Sequence, residues 1–255
     1  MDRNLKRDNK MTIGAAYIAY SGIEHLQASI NCIRSSVNKV VVVFQDVSNF
    51  GHRKDTAKEL QGLKGVDVFI KFRPNLYKSA HENERRARQL GLDALKCEYV
   101  MTIDCDELYL PAQFKAACKE VISGGYDGSA CQMQTYYKDA ATVIRPPEKY
   151  FVPFLHKYGQ LKKCKYPVTA DPTRVMPVKK FKAFDRSQLE MHHLSYVRRD
   201  LKEKLINSSA RANYNNRIND IIRHYNNYNG GKAYLAGRGV RLCDTKKTTV
   251  LQGLL

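Results

Sequence analysis

The chain has 255 residues and carries 43 Lys or Arg against 25 Asp or Glu, a formal net charge of +18. This length suits one large α/β domain, or a domain with a small C-terminal addition, and an apolar share of 43% argues against wholesale disorder. Apolar runs fall short of the ~20 residues of a membrane-spanning helix, no apolar signal segment follows the basic Met1–Arg7 start, and seven cysteines without zinc-knuckle spacing read as reduced thiols in a cytoplasmic protein.

MTIGAAYIAY reads as a first strand, and IEHLQASINCIRSSV as the helix after it, with Ile23, Leu26, Ile30 and Ile33 at helical spacing. KVVVVFQDV is a β-branched run of the kind found in strands buried on both faces, and it closes on Asp46. RKDTAKELQGL predicts a helix and VDVFIKF a third strand. SAHENERRARQLGLDALK predicts a strong helix, with Ser79 as its cap and Glu82 in capping-box position. YVMTID is a fourth strand. Strands alternating with helices imply right-handed crossovers and a doubly wound, mostly parallel sheet flanked by helices. Beyond Pro111 the pattern loosens. PAQFKAACKEVISGG reads as a helix ended by glycines, DGSACQMQTYYKD as a strand, VIRPPEKYFVPF as an irregular loop, LEMHHLSYV as a strand and RDLKEKLINSSARANY as a late helix. HYNNYNGGKAYLAGRGVRL reads as a loop or lid. The division expected is residues 1–115 as a first half, 116–210 as an irregular second half, and 211–255 as a C-terminal helix/loop or lid segment.

The fourth strand runs into Asp104-Cys105-Asp106-Glu107. Like charges raise one another's pKa unless a cation lies between them, so the cluster demands positive charge. In open α/β sheets, ligands bind beyond the carboxyl ends of the strands. Oxygen donors at such an edge suit Mg2+ or Mn2+, which also hold phosphates. Cys105 between the aspartates is read as packing, because side chains alternate along an extended segment.

Asp46 after strand two, the basic helix HENERRARQLGLDAL and YVMTIDCDELYLP together resemble the nucleotide-sugar half of GT-A fold glycosyltransferases, in particular the family-2-like group with a D-x-D-E tetrad. The match covers about residues 11–115. The resemblance implies a nucleotide-sugar donor, a UDP-sugar first among them, and transfer to a hydroxyl acceptor. It implies that Asp46 contacts base or ribose, Asp104 ribose or metal, and Asp106 the metal, with Arg85, Arg86 or Arg88 near the nucleotide. A downstream histidine from MHHLSYVRRD would complete the metal site. Adjacent residues on a strand face opposite ways, so His193 is favoured and His192 is the alternative. Arg198, Arg199 and Lys202 follow, placed in sequence to neutralise a departing diphosphate, where charge develops. For a catalytic base Asp171 is chosen, in a proline-flanked loop, with Glu190 in reserve.

Between His156 and Lys204 lie thirteen Lys or Arg against five acidic residues, interleaved with Tyr158, Tyr166 and Tyr196. Basic residues mixed with aromatics suit a phosphate backbone and a stacked base. This points to DNA as acceptor, with a flipped-out hydroxymethylated base, as in bacteriophage DNA-modifying enzymes. A lipopolysaccharide or other glycan at a membrane surface is the competing acceptor. A nucleic-acid-binding protein on a degenerate transferase scaffold is the non-enzymatic alternative. A nucleotidyltransferase is disfavoured because MTIGAAYIAYSG has no lysine-bearing phosphate loop.

Overall fold

The computed structural model describes residues 11–237 and 239–255; the basic Met1–Arg7 start lies outside the described residues. In chain order the elements are β1 (Ile13–Ala19), α1 (Leu26–Ile33), β2 (Lys39–Phe44), α2 (Thr56–Glu59), β3 (Val68–Lys71), α3 (Ala80–Leu95), β4 (Tyr99–Asp104), β5 (Glu107–Tyr109) and α4 (Pro111–Ser123). They continue with β6 (Gly128–Tyr137), β7 (Asp139–Arg145), β8 (Phe151–Lys157), β9 (Phe181–Phe184), β10 (Glu190–Tyr196), α5 (Leu201–Asn207), α6 (Ile218–Asn226), β11 (Lys232–Gly237) and β12 (Gly239–Lys247).

The first four strands lie parallel in the order β3-β2-β1-β4. Alternate residues of β1 and β2 enter two different cores, as a strand covered on both faces requires. Ala15, Tyr17, Val40 and Val42 pack into the core that holds α1 and α4. Ala16, Val41 and Val43 pack against Ala87, Leu92 and Leu95 of α3. Helix α3 starts at Ser79, whose hydroxyl accepts from the Glu82 amide at 3.2 Å, while the Glu82 carboxylate pairs with Lys78 at 2.9 Å. It lies close to the sheet because Gly91 has no side chain: a Cβ there would come 2.9 Å from the Ala16 Cβ. That close approach lets Arg88, three residues earlier, reach the sheet edge. Helix α2 is a single turn, capped by Asp55 and followed by two glycines at positive φ, Gly62 and Gly65.

Past β4 the sheet becomes mixed, with β8, β6 and β7 antiparallel to their neighbours and β10 parallel to β6. VIRPPEKYFVPF is not an irregular loop: it supplies the end of β7 and the start of β8 around a short turn. Its prolines hid this, since Pro donates no ladder hydrogen bond. Pro153 lies opposite Ala130 in the β6–β8 ladder and beyond His156 and Lys157, the residues of β8 that pair with β4.

The C-terminal stretch is likewise regular. HYNNYNGGKAYLAGRGVRL contributes the end of α6 and the antiparallel pair β11–β12, which extends the sheet through β7 rather than forming a lid. Its asparagines and glycines masked a period-2 alternation that buries Ala233 and Leu235. These join Tyr137, Tyr196, Leu201, Leu205, Ile221 and Tyr225 in a second, tyrosine-rich core. Fully burying a leucine contributes about 1.5–3 kcal/mol, so Leu201 and Leu205 fasten α5 to this core and fix the residues between them.

Candidate active site

The tetrad is not one straight strand end. Strand β4 stops at Asp104, the chain turns at Cys105 and Asp106, and β5 begins at Glu107. Strand β10 then pairs antiparallel with β5, setting His193 opposite Glu107, and the Leu194 amide donates to the Asp106 carbonyl at 2.8 Å. This pairing places the His193 Nε2 3.6 Å from Asp106 Oδ2. Cys105 is buried, its thiol donating to the Ile18 carbonyl at 3.3 Å.

A cavity of about 260 Å3 opens at this edge, lined by residues of β1, the β2–α2 loop, α3, the tetrad, the β10–α5 turn and α5. Its charges are divided. On one side stand Glu84, Asp104 and Asp171, gathered around two buried arginines. Arg88, with no exposed side-chain surface, donates from Nη2 to Glu84 Oε1 at 2.6 Å and to Asp104 Oδ1 at 2.9 Å. Arg174 grips Glu107 with two parallel bonds of 2.9 and 2.7 Å and also donates to Asp104 Oδ2. Asp171 Oδ1 accepts from the Thr173 amide and hydroxyl, each at 2.8 Å, while Oδ2 lies 3.5 Å from Arg174 Nε and 4.0 Å from Arg88 Nη2. Burial pushes the Asp104 carboxyl up, but Arg174 and Arg88 together outweigh it and hold the group below the usual range. Burial pushes Glu84 up, against the pull of Arg88.

On the other side stand Arg198 and Lys204. Arg198 is 4% exposed and its Nη2 donates to Asp106 Oδ2. Burial opposes ionisation of Asp106, yet Arg198, His193 and Lys204 hold it well below the usual carboxylate range. The Lys204 ammonium donates to the Ser195 carbonyl at 3.2 Å and to the Ser195 hydroxyl. Burial, reinforced by Arg198, brings its pKa down to about 8. Gly22 has φ of +79°, and a side chain there would collide with Arg198 Nη1. Among the described residues, Arg198 Nη1, Asn49 Oδ1 and Glu84 Oε2 are buried without a hydrogen-bond partner, and all three side chains line this cavity.

Several expected site residues are therefore assembled: Asp104, Asp106, Asp171, His193, Arg88 and Arg198. Others are elsewhere. His192 points to the opposite face, its Nδ1 3.1 Å from the Tyr136 hydroxyl, and burial lowers its pKa to about 4. Glu190 shares that face and pairs with Arg186. Arg86 lies on the exposed face of α3, and Arg85 donates to the Pro172 carbonyl at 3.4 Å. Asp46 pairs with Lys71 and lines a separate hollow with Arg53 and Lys54, whereas Gln45 and Asn49 line the main cavity. Lys202 is exposed, and the lysine of the cavity is Lys204.

A metal centre is not assembled from the expected ligands. Among the described residues no three His, Cys, Asp or Glu side chains come together as a metal-binding group. Only Asp106 and His193 of the expected set face one another, and both Asp104 oxygens accept from guanidinium groups. The donor set does not fit a resident divalent cation.

The basic stretch 156–204 is also partly consumed within the protein. Arg198 and Lys204 line the cavity, Arg174 is buried against Asp104 and Glu107, Lys157, Lys182 and Arg186 pair with Asp127, Glu120 and Glu190, and Lys180 donates to the Gly124 carbonyl. Lys162, Lys163, Lys165, Lys179, Arg199 and Lys202 are exposed. No helix among the described residues is long and apolar enough to cross a membrane.

No family model matches the chain, and no curated protein does. Among solved structures the chain is similar to TarS 1–349 of S. aureus, at 12% identity and a TM-score of 0.47, over 85% of this chain and 72% of that one. The UDP complex of TarS 1–349 matches at 13% identity and a TM-score of 0.37, over 51% of this chain. Glucosyl-3-phosphoglycerate synthase of Mycobacterium tuberculosis, with Mg2+ and uridine diphosphate, matches at 16% identity and a TM-score of 0.35, over 49% of this chain and 44% of that one. The chain covers only 38% and 36% of the TarS chains bound to UDP and UDP-GlcNAc.

Proposed function

We propose that the chain is a glycosyltransferase that moves a sugar from a nucleoside diphosphate donor, UDP the favoured carrier, to a hydroxyl acceptor. The observation that carries this reading is the grouping of charge around one cavity, with Arg198 and Lys204 beside Asp106 and with Glu84, Asp104 and Asp171 around Arg88 and Arg174. An anionic diphosphate is favoured beside the two cations and repelled by the carboxylates. A hydroxyl-rich sugar is suited to the acidic side, where carboxylate oxygens accept hydrogen bonds. In transfer, the bond from the anomeric carbon to the phosphate oxygen breaks and its electron pair stays on that oxygen. The acceptor oxygen bonds to the anomeric carbon, and its proton passes to the Asp171 carboxylate, whose Oδ2 is beyond hydrogen-bond length of both neighbouring guanidiniums. For the acceptor, the net charge of +18 and the exposed Lys162, Lys163, Lys165, Lys179, Arg199 and Lys202 favour a polyanion, with hydroxymethylated DNA first.

A thermal-shift panel of nucleotide sugars tests donor binding, since a ligand that binds only the folded state raises the melting temperature. At a donor concentration about 100 times Kd the gain is about 2.7 kcal/mol. Incubation with the stabilising donor and either hydroxymethylated DNA or glycans, followed by mass spectrometry, assigns the acceptor. A panel without any shift or any sugar adduct would refute the reading.

Lys204 gives the reaction a pH dependence. Its ammonium is present below about pH 8 and is lost as pH rises through that value, so donor affinity is expected to fall across the same window. The sign for folding is opposite. Between about 8 and the ordinary 10.5 the folded state holds fewer protons than the unfolded one, so this group's contribution to stability rises with pH. Titrating donor binding from pH 6 to 10 in wild type and Lys204→Gln checks this; the variant should lose the step near pH 8.

A further inference from the structure

We infer that the two cationic side chains of the cavity, Arg198 and Lys204, neutralise the donor diphosphate themselves, so that donor binding needs no divalent metal. This inference rests on the nucleotide-sugar reading and specifies how its anionic half is held. A divalent ion needs carboxylate oxygens free to ligate it, and the tetrad has committed five of its six. Both oxygens of Asp104 accept from Arg88 and Arg174, both oxygens of Glu107 accept from Arg174, and Asp106 Oδ2 accepts from Arg198. The positive charge that the tetrad demands is thus supplied by arginines of the chain.

The local charge points the same way. On the Asp106 side one carboxylate faces Arg198, Lys204 and the imidazole of His193. A divalent cation placed there would meet repulsion from two side-chain cations in a partly water-excluded site, where effective permittivity is low. An anion would meet attraction. Arg198 also carries a buried Nη1 without a partner, and a donor left unmet on a buried cation is costly. A phosphate oxygen would complete it. Planar guanidinium groups bind phosphate through two parallel bonds, and Nη1 can take its position only because Gly22 has no side chain to collide with it.

Isothermal titration of the chelator-treated protein with UDP, GDP, ADP and dTDP, each in EDTA and then in Mn2+, tests the inference. At least one nucleotide is expected to bind in EDTA with a Kd within about threefold of its value in Mn2+. Arg198→Gln and, separately, Lys204→Gln are each expected to weaken that binding by about tenfold or more. The direct bonds of Lys204 go to Ser195 and not to a carboxylate, so Lys204→Gln remains informative if the Arg198 variant fails to fold. Binding that appears only with Mn2+, or strengthens more than about tenfold with it, overturns the inference and leaves the nucleotide-sugar reading standing. Metal-free binding unaffected by both substitutions overturns the assignment of the cations. Failure of all four nucleotides in both conditions overturns the donor reading and the inference with it.

Discussion

Replacing Arg174 by methionine is expected to lower the unfolding free energy by about 3–5 kcal/mol, the cost of breaking a buried ion pair from one side. The guanidinium is 3% exposed and serves Glu107, Asp104 and Asp171 together. Methionine fills much of the same volume but leaves the Glu107 carboxylate, itself 3% exposed, without its two-bond partner. Urea titration measures the loss. Lys182→Met provides the control, because its partner Glu120 is 41% exposed and exposed pairs contribute about 0–1 kcal/mol. If both variants lose less than about 1 kcal/mol, Arg174 is not the counter-ion that makes the tetrad tolerable.

The second large effect is expected on turnover. Arg198→Gln should reduce kcat by about 10²–10³, the loss seen when one preorganised charge-stabilising donor is removed. The leaving diphosphate gains negative charge as the glycosidic bond lengthens, and the guanidinium would meet it in a largely buried site. Gly22→Ala should produce a related loss without altering any charged group. Its methyl would occupy the space of Arg198 Nη1, and alanine disfavours the left-handed backbone found there. Single-turnover kinetics with the preferred donor measure both variants. Unchanged kcat in Arg198→Gln would show that Arg198 only holds Asp106 in place.

Much of this architecture could be read from residue order, because the first half of the chain follows local rules. Continuous β-branched runs mark strands buried on both faces, and Ser79 caps α3 as its spacing indicates. The tetrad stands out for the same reason: three carboxylates beside an apolar run need an explanation. Arg88 could have been separated from Arg85 and Arg86, since Arg88, Leu92 and Leu95 follow i, i+4, i+7 on the buried face of α3. Lys204 could likewise have been preferred to Lys202, because it lies three residues after buried Leu201 and one before buried Leu205.

Arg174 had no such signal. It meets Asp104 across 70 residues of chain and Glu107 across 67, through a loop whose path no periodicity records. For the same reason a D-x-D triplet could be placed at a strand end but its counter-ion could not be named. In the later strands, Pro-Pro and Asn-Gly-Gly stretches concealed the alternation of β7, β8, β11 and β12. Those strands matter for the site: the tyrosine-rich core they complete holds Leu201 and Leu205, and with them Lys204.

The most direct measurement is a crystal structure of the protein soaked with UDP in EDTA. Diphosphate oxygens are expected within about 3 Å of Arg198 and Lys204, with the acidic side formed by Glu84 and Asp171 left open for the sugar. A nucleotide bound at another surface, or a cavity that stays empty at saturating UDP, would contradict this placement.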